Sequence, residues 1–142
     1  MPTPPAVDPA RGHRGRGPTR LPAAGREGKA PTWPLASTWD DDEKRRYEAK
    51  VWRELWATPQ AHAWERLGPG LVREVARYCR LLVDIEWCEG ANAALHAQAT
   101  ALADRLGLTP KAMRLLLWEI ATDEVAQKRT ETSSARGRIA AV

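Results

Sequence analysis

Apolar residues recur along this chain at helical intervals, in blocks punctuated by glycine and proline. Tyr47, Val51, Trp52, Leu55 and Trp56 fall on one face and predict a first helix, which Thr58-Pro59 closes; Lys44, Arg45, Glu48 and Arg53 face elsewhere. Ser37 or Thr38 can cap it. Asp40, Asp41, Asp42 and Glu43 then fill its opening turn, where carboxylates favour the positive end of the helix dipole. Residues 60–67 read as a short helix with Trp64 turned inward, broken by Gly68-Pro69-Gly70. Residues 71–89 have helical periodicity over about 28 Å. There Arg73, Arg77, Arg80 and Asp84 form a charged stripe, expected to face solvent with Asp84 pairing Arg80 four residues earlier.

A break at Gly90 and Asn92 precedes a fourth helix over 93–106, with Leu95, Ala99, Leu102, Ala103 and Leu106 on one face. Gly107 ends it, and Thr109 as cap with Pro110 at the first helical position starts another, so two helices meet at a tight corner. The last helix is predicted to run from 110 to about 127. The whole reads as an all-α fold: one small helical domain of four to five helices with flexible basic N- and C-terminal tails.

Composition assigns the ends. Residues 1–36 hold eight of the eleven prolines and carry six basic groups against Asp8 and Glu27, too few apolar side chains to repay ordering, and are expected to form a disordered basic arm. Residues 37–127 form the helical domain, and 128–142 a second basic tail with Lys128, Arg129, Arg136 and Arg138 against Glu131. The net charge of +4 is therefore concentrated in the tails around an acidic body. Arg11, Arg14, Arg16, Arg20, Arg26 and Lys29 are candidate phosphate contacts, each releasing counterions from nucleic acid; a merely solubilising arm is the alternative.

Little in the sequence suggests catalysis. The segment from Gly25 to Lys29 lacks the spacing, the hydroxyl residue and the preceding strand of a phosphate loop. The acidic run at 40–43 has no histidine or further carboxylate cluster with which to hold a metal, and His62 has no partner at ligand spacing. No catalytic residue, metal or cofactor is expected. Cys79 and Cys88 lie about 13 Å apart along one predicted helix, beyond disulfide reach. No apolar run approaches the roughly 20 residues of a membrane span, and the N-terminus lacks a signal-peptide core, so a soluble intracellular protein is expected.

The corner admits two readings. Ala103, Gly107 four residues later and Met113 six further match the packing, turn and anchor positions of a helix-turn-helix, with Lys111 and Arg114 available to DNA. Yet Leu115-Leu116-Leu117-Trp118 follow, and the apolar arc of the last helix covers about 260° of its circumference, an excess that argues for burial on several sides. Met113, Leu115, Leu117 and Trp118 are therefore predicted to form an oligomer interface. A helix-turn-helix transcriptional regulator is the alternative.

Gly107-Leu108-Thr109-Pro110-Lys111-Ala112, followed by Arg114, Leu116 and Trp118-Glu119-Ile120, resembles the C-terminal signature of small terminase subunits from tailed phages. Trp33-Pro34, the run 52–56 (WRELW), Thr58-Pro59-Gln60-Ala61 and Ala63-Trp64 agree with it upstream, extending the resemblance over roughly residues 33–120. Where that family favours polar or basic residues between the proline and the tryptophan, this chain has Met113, Leu115 and Leu117. The resemblance implies an all-helical, non-catalytic subunit in the host cytoplasm. It would assemble as a homo-oligomeric ring on double-stranded viral DNA and recruit or regulate the large terminase subunit for genome packaging.

Overall fold

The computed structural model describes residues 17–90 and 92–122. They form a mainly helical fold with a short two-stranded parallel sheet, in the order β1 (Thr19–Leu21), α1 (Asp42–Trp56), α2 (Pro59–Leu67), α3 (Pro69–Trp87), α4 (Ala93–Arg105), α5 (Pro110–Leu115) and β2 (Trp118–Ile120). The all-α expectation thus needs one correction, the sheet. Thr19, Arg20 and Leu21 pair with Trp118, Glu119 and Ile120, so strands from opposite ends of the described chain close over the helices between them.

The core is a ladder of indoles. Trp33 stands edge-on to Trp52 with ring centroids 5.0 Å apart, Trp52 to Trp56 at 5.5 Å, and Trp56 to Trp64 at 5.6 Å. Edge-to-face geometry places the positive ring edge against a negative face, an attraction beyond simple burial. Val75, Ala76, Cys79 and Val83 of α3 pack against this ladder from one side, and Leu106 joins it from the corner after α4. Two indole N–H groups tie distant segments to it: Trp52 donates to the Pro31 carbonyl at 2.9 Å and Trp64 to the Leu106 carbonyl at 2.8 Å. Burial pushes the Cys79 thiol up to about 12, with the nearby Glu48 carboxylate adding to it, so this cysteine stays a neutral packing group.

Helix α1 begins later than Ser37 or Thr38 would cap it. Asp41 is the cap, its carboxylate accepting from the Glu43 and Lys44 amides. The preceding stretch is used instead for packing: the Arg80 guanidinium lies 5.2 Å from the centre of Trp33 and 5.6 Å from that of Trp39, and Lys44 sits over Trp39. The charged stripe of α3 also differs from expectation. Arg80 pairs with Glu48, a carboxylate buried on α1, and donates to the Ala36 carbonyl, while Asp84 pairs with Lys44. A pair across two helices satisfies a carboxylate that packing has already removed from water, which a pair within one helix does not.

Residues 17–36 contain the largest departure from the expected disordered arm. Leu21 is fully buried, the β1 backbone is bonded to β2, and Gly25 sits with φ +82° so close to the Ala57 carbonyl that a Cβ there would collide with it. The predicted arm therefore becomes part of the fold from about Gly17 onward. Scattered apolar contacts at Leu21, Ala30 and Trp33, spaced to no helical or strand period, hold it down. Residues 1–16 and 128–142 lie outside the described residues.

Candidate nucleic-acid interface

At the α4–α5 corner, local chemistry matches the sequence closely. Gly107 has φ +72°, a left-handed turn with the Trp118 ring packed where a side chain would project. Thr109 caps α5, its hydroxyl accepting from the Ala112 amide and donating to the Asp104 carboxylate. Ala103 and Ala112 are buried at the junction, where their small side chains let the two helices approach.

The length of α5 is the surprise. It ends at Leu115 rather than near 127, because Leu116 caps it and Leu117 turns the chain with φ +55°, sending Trp118–Ile120 into β2. Once the chain has left the helix, the supposed circumferential apolar arc separates into different surfaces. Trp118 is half-buried against the core, and Met113 is half-buried with its sulfur accepting from the Gln60 amide at 3.6 Å. Leu115 is 76% exposed and Leu117 58% exposed, with Leu116 and Ile120 also exposed beside them. The predicted interface set thus splits: two of its members serve the chain's own packing, and two belong to an uncovered apolar patch. Leu116 and Ile120, absent from the predicted interface set, extend that patch.

The basic candidates divide similarly. Lys111 and Arg114 project from α5, exposed, with Arg114 Nε donating to the Pro110 carbonyl at 3.3 Å. Arg20 is exposed in β1 opposite Glu119, so the sheet brings it to the same end of the fold as α5. None of these three has an ion-pair partner among the described residues.

Arg26 is committed elsewhere. It pairs with Glu65 at 3.0 Å, donates to the Lys29 carbonyl and lies 5.5 Å from the centre of Trp56, largely out of solvent. Its hydrogen bond and charge hold the Glu65 carboxyl below the usual range. Lys29 next to it is exposed, with no carboxylate partner among the described residues. Arg11, Arg14 and Arg16 lie outside the described residues.

Among the described residues no group of three or more histidine, cysteine or carboxylate side chains is gathered as a metal site. Among them, too, no helix is long and apolar enough to cross a membrane.

No protein-family model matches the chain, and no curated protein or solved structure is significantly similar to it. What the corner offers chemically is a cationic rim of Arg20, Lys111 and Arg114 beside an apolar patch, a surface suited to a polyanion on one side and a protein neighbour on the other.

Proposed function

We propose that this chain is a non-catalytic DNA-binding subunit that assembles with copies of itself and presents double-stranded viral DNA to a large terminase subunit for packaging. The observation that carries the reading is the patch of Leu115, Leu116, Leu117 and Ile120, exposed on a segment whose backbone is otherwise tied into the fold. Leu117 strengthens it. A left-handed backbone costs a branched residue of order 1–3 kcal/mol that glycine or asparagine would largely avoid. An exposed leucine in that conformation makes sense where its side chain serves a contact outside the monomer.

Duplex contact is assigned to Arg20, Lys111 and Arg114, together with Arg11, Arg14 and Arg16. Each supplies a weak, salt-sensitive phosphate interaction, and an oligomer presenting many copies sums them through high effective concentration. Arg26 leaves the set because its guanidinium is already bound within the fold. The runner-up, a helix-turn-helix regulator, draws on the Ala103, Gly107 and Met113 corner. It has less to recommend it, since the six residues of α5 leave only Lys111 and Arg114 to reach base edges.

Mass measurement in native buffer tests the assembly. An oligomer larger than a dimer is expected at micromolar concentration, and a Leu115→Glu, Leu117→Glu variant should fall to monomer while retaining its helical circular dichroism. A wild-type monomer would remove the reading, and a wild-type dimer would favour the regulator.

A further inference from the structure

A second surface, sharing no residue with the corner, is a shallow trough along α1. Asp42, Arg46, Ala49 and Arg53 lie at i, i+4, i+7 and i+11, one stripe of that helix. The facing wall is the strap from Gly28 to Pro31 with Trp33 beyond it, and the floor is Ala49 and the edge of Trp52. The largest basin, about 560 Å³, lies between Lys29 and Arg53 and continues past Trp33 and Ala49 toward Arg45 and Arg46. Ala49, exposed and carrying only a methyl group, gives the trough its depth midway between the two arginines.

Charge along the trough is one-sided. Lys29, Arg46 and Arg53 are exposed and have no carboxylate partner among the described residues. The two carboxylates on its walls are already neutralised, Asp42 by Arg45 and Glu48 by Arg80. At helical rise Arg46 and Arg53 stand about 10 Å apart along the axis. Two cations therefore follow one another along the trough and the third, Lys29, faces Arg53 across it, an arrangement for a chain of negative charges rather than for one anion. Trp33, half-buried, adds a flat apolar wall between the basins.

We propose that this trough binds a single strand of DNA, with Arg46 and Arg53 on separate phosphates of the strand, Lys29 facing Arg53 from the other wall, and a base against Trp33. A cationic groove with an aromatic wall is the combination that holds an unpaired strand without reading its sequence. A duplex keeps its base faces inside the stack and has none to lay against Trp33, whereas an unpaired strand does. The inference rests on the chain acting on DNA but not on the apolar patch or on Lys111 and Arg114. It assigns the protein a hold on locally opened DNA in addition to its hold on duplex.

The test uses the full chain and a fluorescein-labelled oligothymidylate of about twelve nucleotides, within the site size of such grooves, followed by anisotropy across a salt series. Replacing Arg46→Ala and Arg53→Ala together should weaken binding at least tenfold. It should also make the log–log salt slope shallower by about 1.4, two single-strand phosphate contacts' worth, while affinity for a duplex of the same length is unchanged. An unchanged slope, or an equal loss on duplex, overturns the assignment. So does unlabelled polyglutamate competing as well as unlabelled oligothymidylate, since that would show a site for bare negative charge. Ultraviolet crosslinking of a bromodeoxyuridine oligonucleotide to the unmutated chain is independent of any folding defect. Adducts on the peptide containing Trp33 are expected, and adducts confined to other peptides overturn the placement. A chain that binds neither form of DNA removes this proposal and the proposed function together, whereas duplex binding with an unresponsive trough removes only this one.

Discussion

The body formed by α1 to α3 and the end formed by α5 and β2 both carry leucine and tryptophan, yet the body encloses most of its large apolar side chains, Leu67 and Trp87 excepted, while the end leaves most of its own in solvent. In the body, Trp52, Trp56 and Trp64 are almost wholly enclosed and edge-packed on one another, and the buried Glu48 is paired with Arg80. At the end, Ala112, Trp118 and part of Met113 find internal partners, and the leucines between and beside them stay largely in solvent. Hydrophobic side chains therefore do two different things here. In the body they hold the fold together, and at the end they stay largely on the surface.

The sharpest way to break this contrast is to damage the body. Arg80→Ala should destabilise by about 3–5 kcal/mol, because it leaves the Glu48 carboxylate out of water with its charge uncompensated. It also removes the guanidinium that packs over Trp33 and Trp39. Urea denaturation measures the loss, and Glu48→Gln in the same background should restore part of it by removing the orphaned charge. Equal stability of Arg80→Ala and the unmutated chain would mean that the pair is solvated after all.

An intermediate effect is expected at the hinge between the regions. Gly107→Ala meets both a left-handed backbone and the Trp118 ring, so roughly 1–3 kcal/mol should be lost. The alanine methyl would lever Trp118 off the corner and loosen β2 from β1. Faster hydrogen exchange at the Thr19 and Ala121 amides, which donate to the Leu117 and Leu21 carbonyls, would report it. Unchanged exchange there would show that the sheet does not depend on this contact.

The same contrast explains what could be read from the sequence. The four breaks between helices, the cap at Thr109 and the left-handed Gly107 were legible, because each is set by local backbone chemistry. The inward faces at Trp52, Trp56 and Trp64 were legible through periodicity. Two things were not. The β1–β2 pairing joins residues nearly a hundred positions apart, and three-residue strands carry no detectable alternation. The end of α5 depends on Leu117 adopting a left-handed backbone that its residue type disfavours, so helical periodicity ran on through the turn. Among candidate site residues, Lys111 and Arg114 emerged exposed, as a short polar helical face suggests. Arg26 did not, because its pairing with Glu65 crosses 39 positions of sequence.

At the other end of the comparison, charge placed on the exposed patch should leave the monomer nearly untouched. Leu115→Glu alone is expected to change stability by no more than about 0.5 kcal/mol, as for other exposed substitutions, while shifting the sedimentation profile toward smaller species. If instead the urea midpoint falls as far as for Arg80→Ala, Leu115 is a packing residue, and the line drawn between body and end is wrong.

The smallest effect concerns the strap that carries Lys29. Arg26 donates a hydrogen bond to Glu65 and adds its charge, holding that carboxyl below its ordinary value of 4.5. A carboxyl depressed in the fold contributes stability that is present above its unfolded value and is lost as pH falls through its lower folded value. Acidification from 4.5 downward should therefore release the guanidinium from α2 before the tryptophan ladder opens, with exchange rising in residues 22–30 ahead of α3. Because Glu65 itself is exposed, the shift in global stability should be slight. Glu65→Gln should abolish the early phase of the acid profile. If strap and body respond together in both proteins, the ion pair is a bystander and the strap is held by Leu21, Gly25 and Trp33 alone.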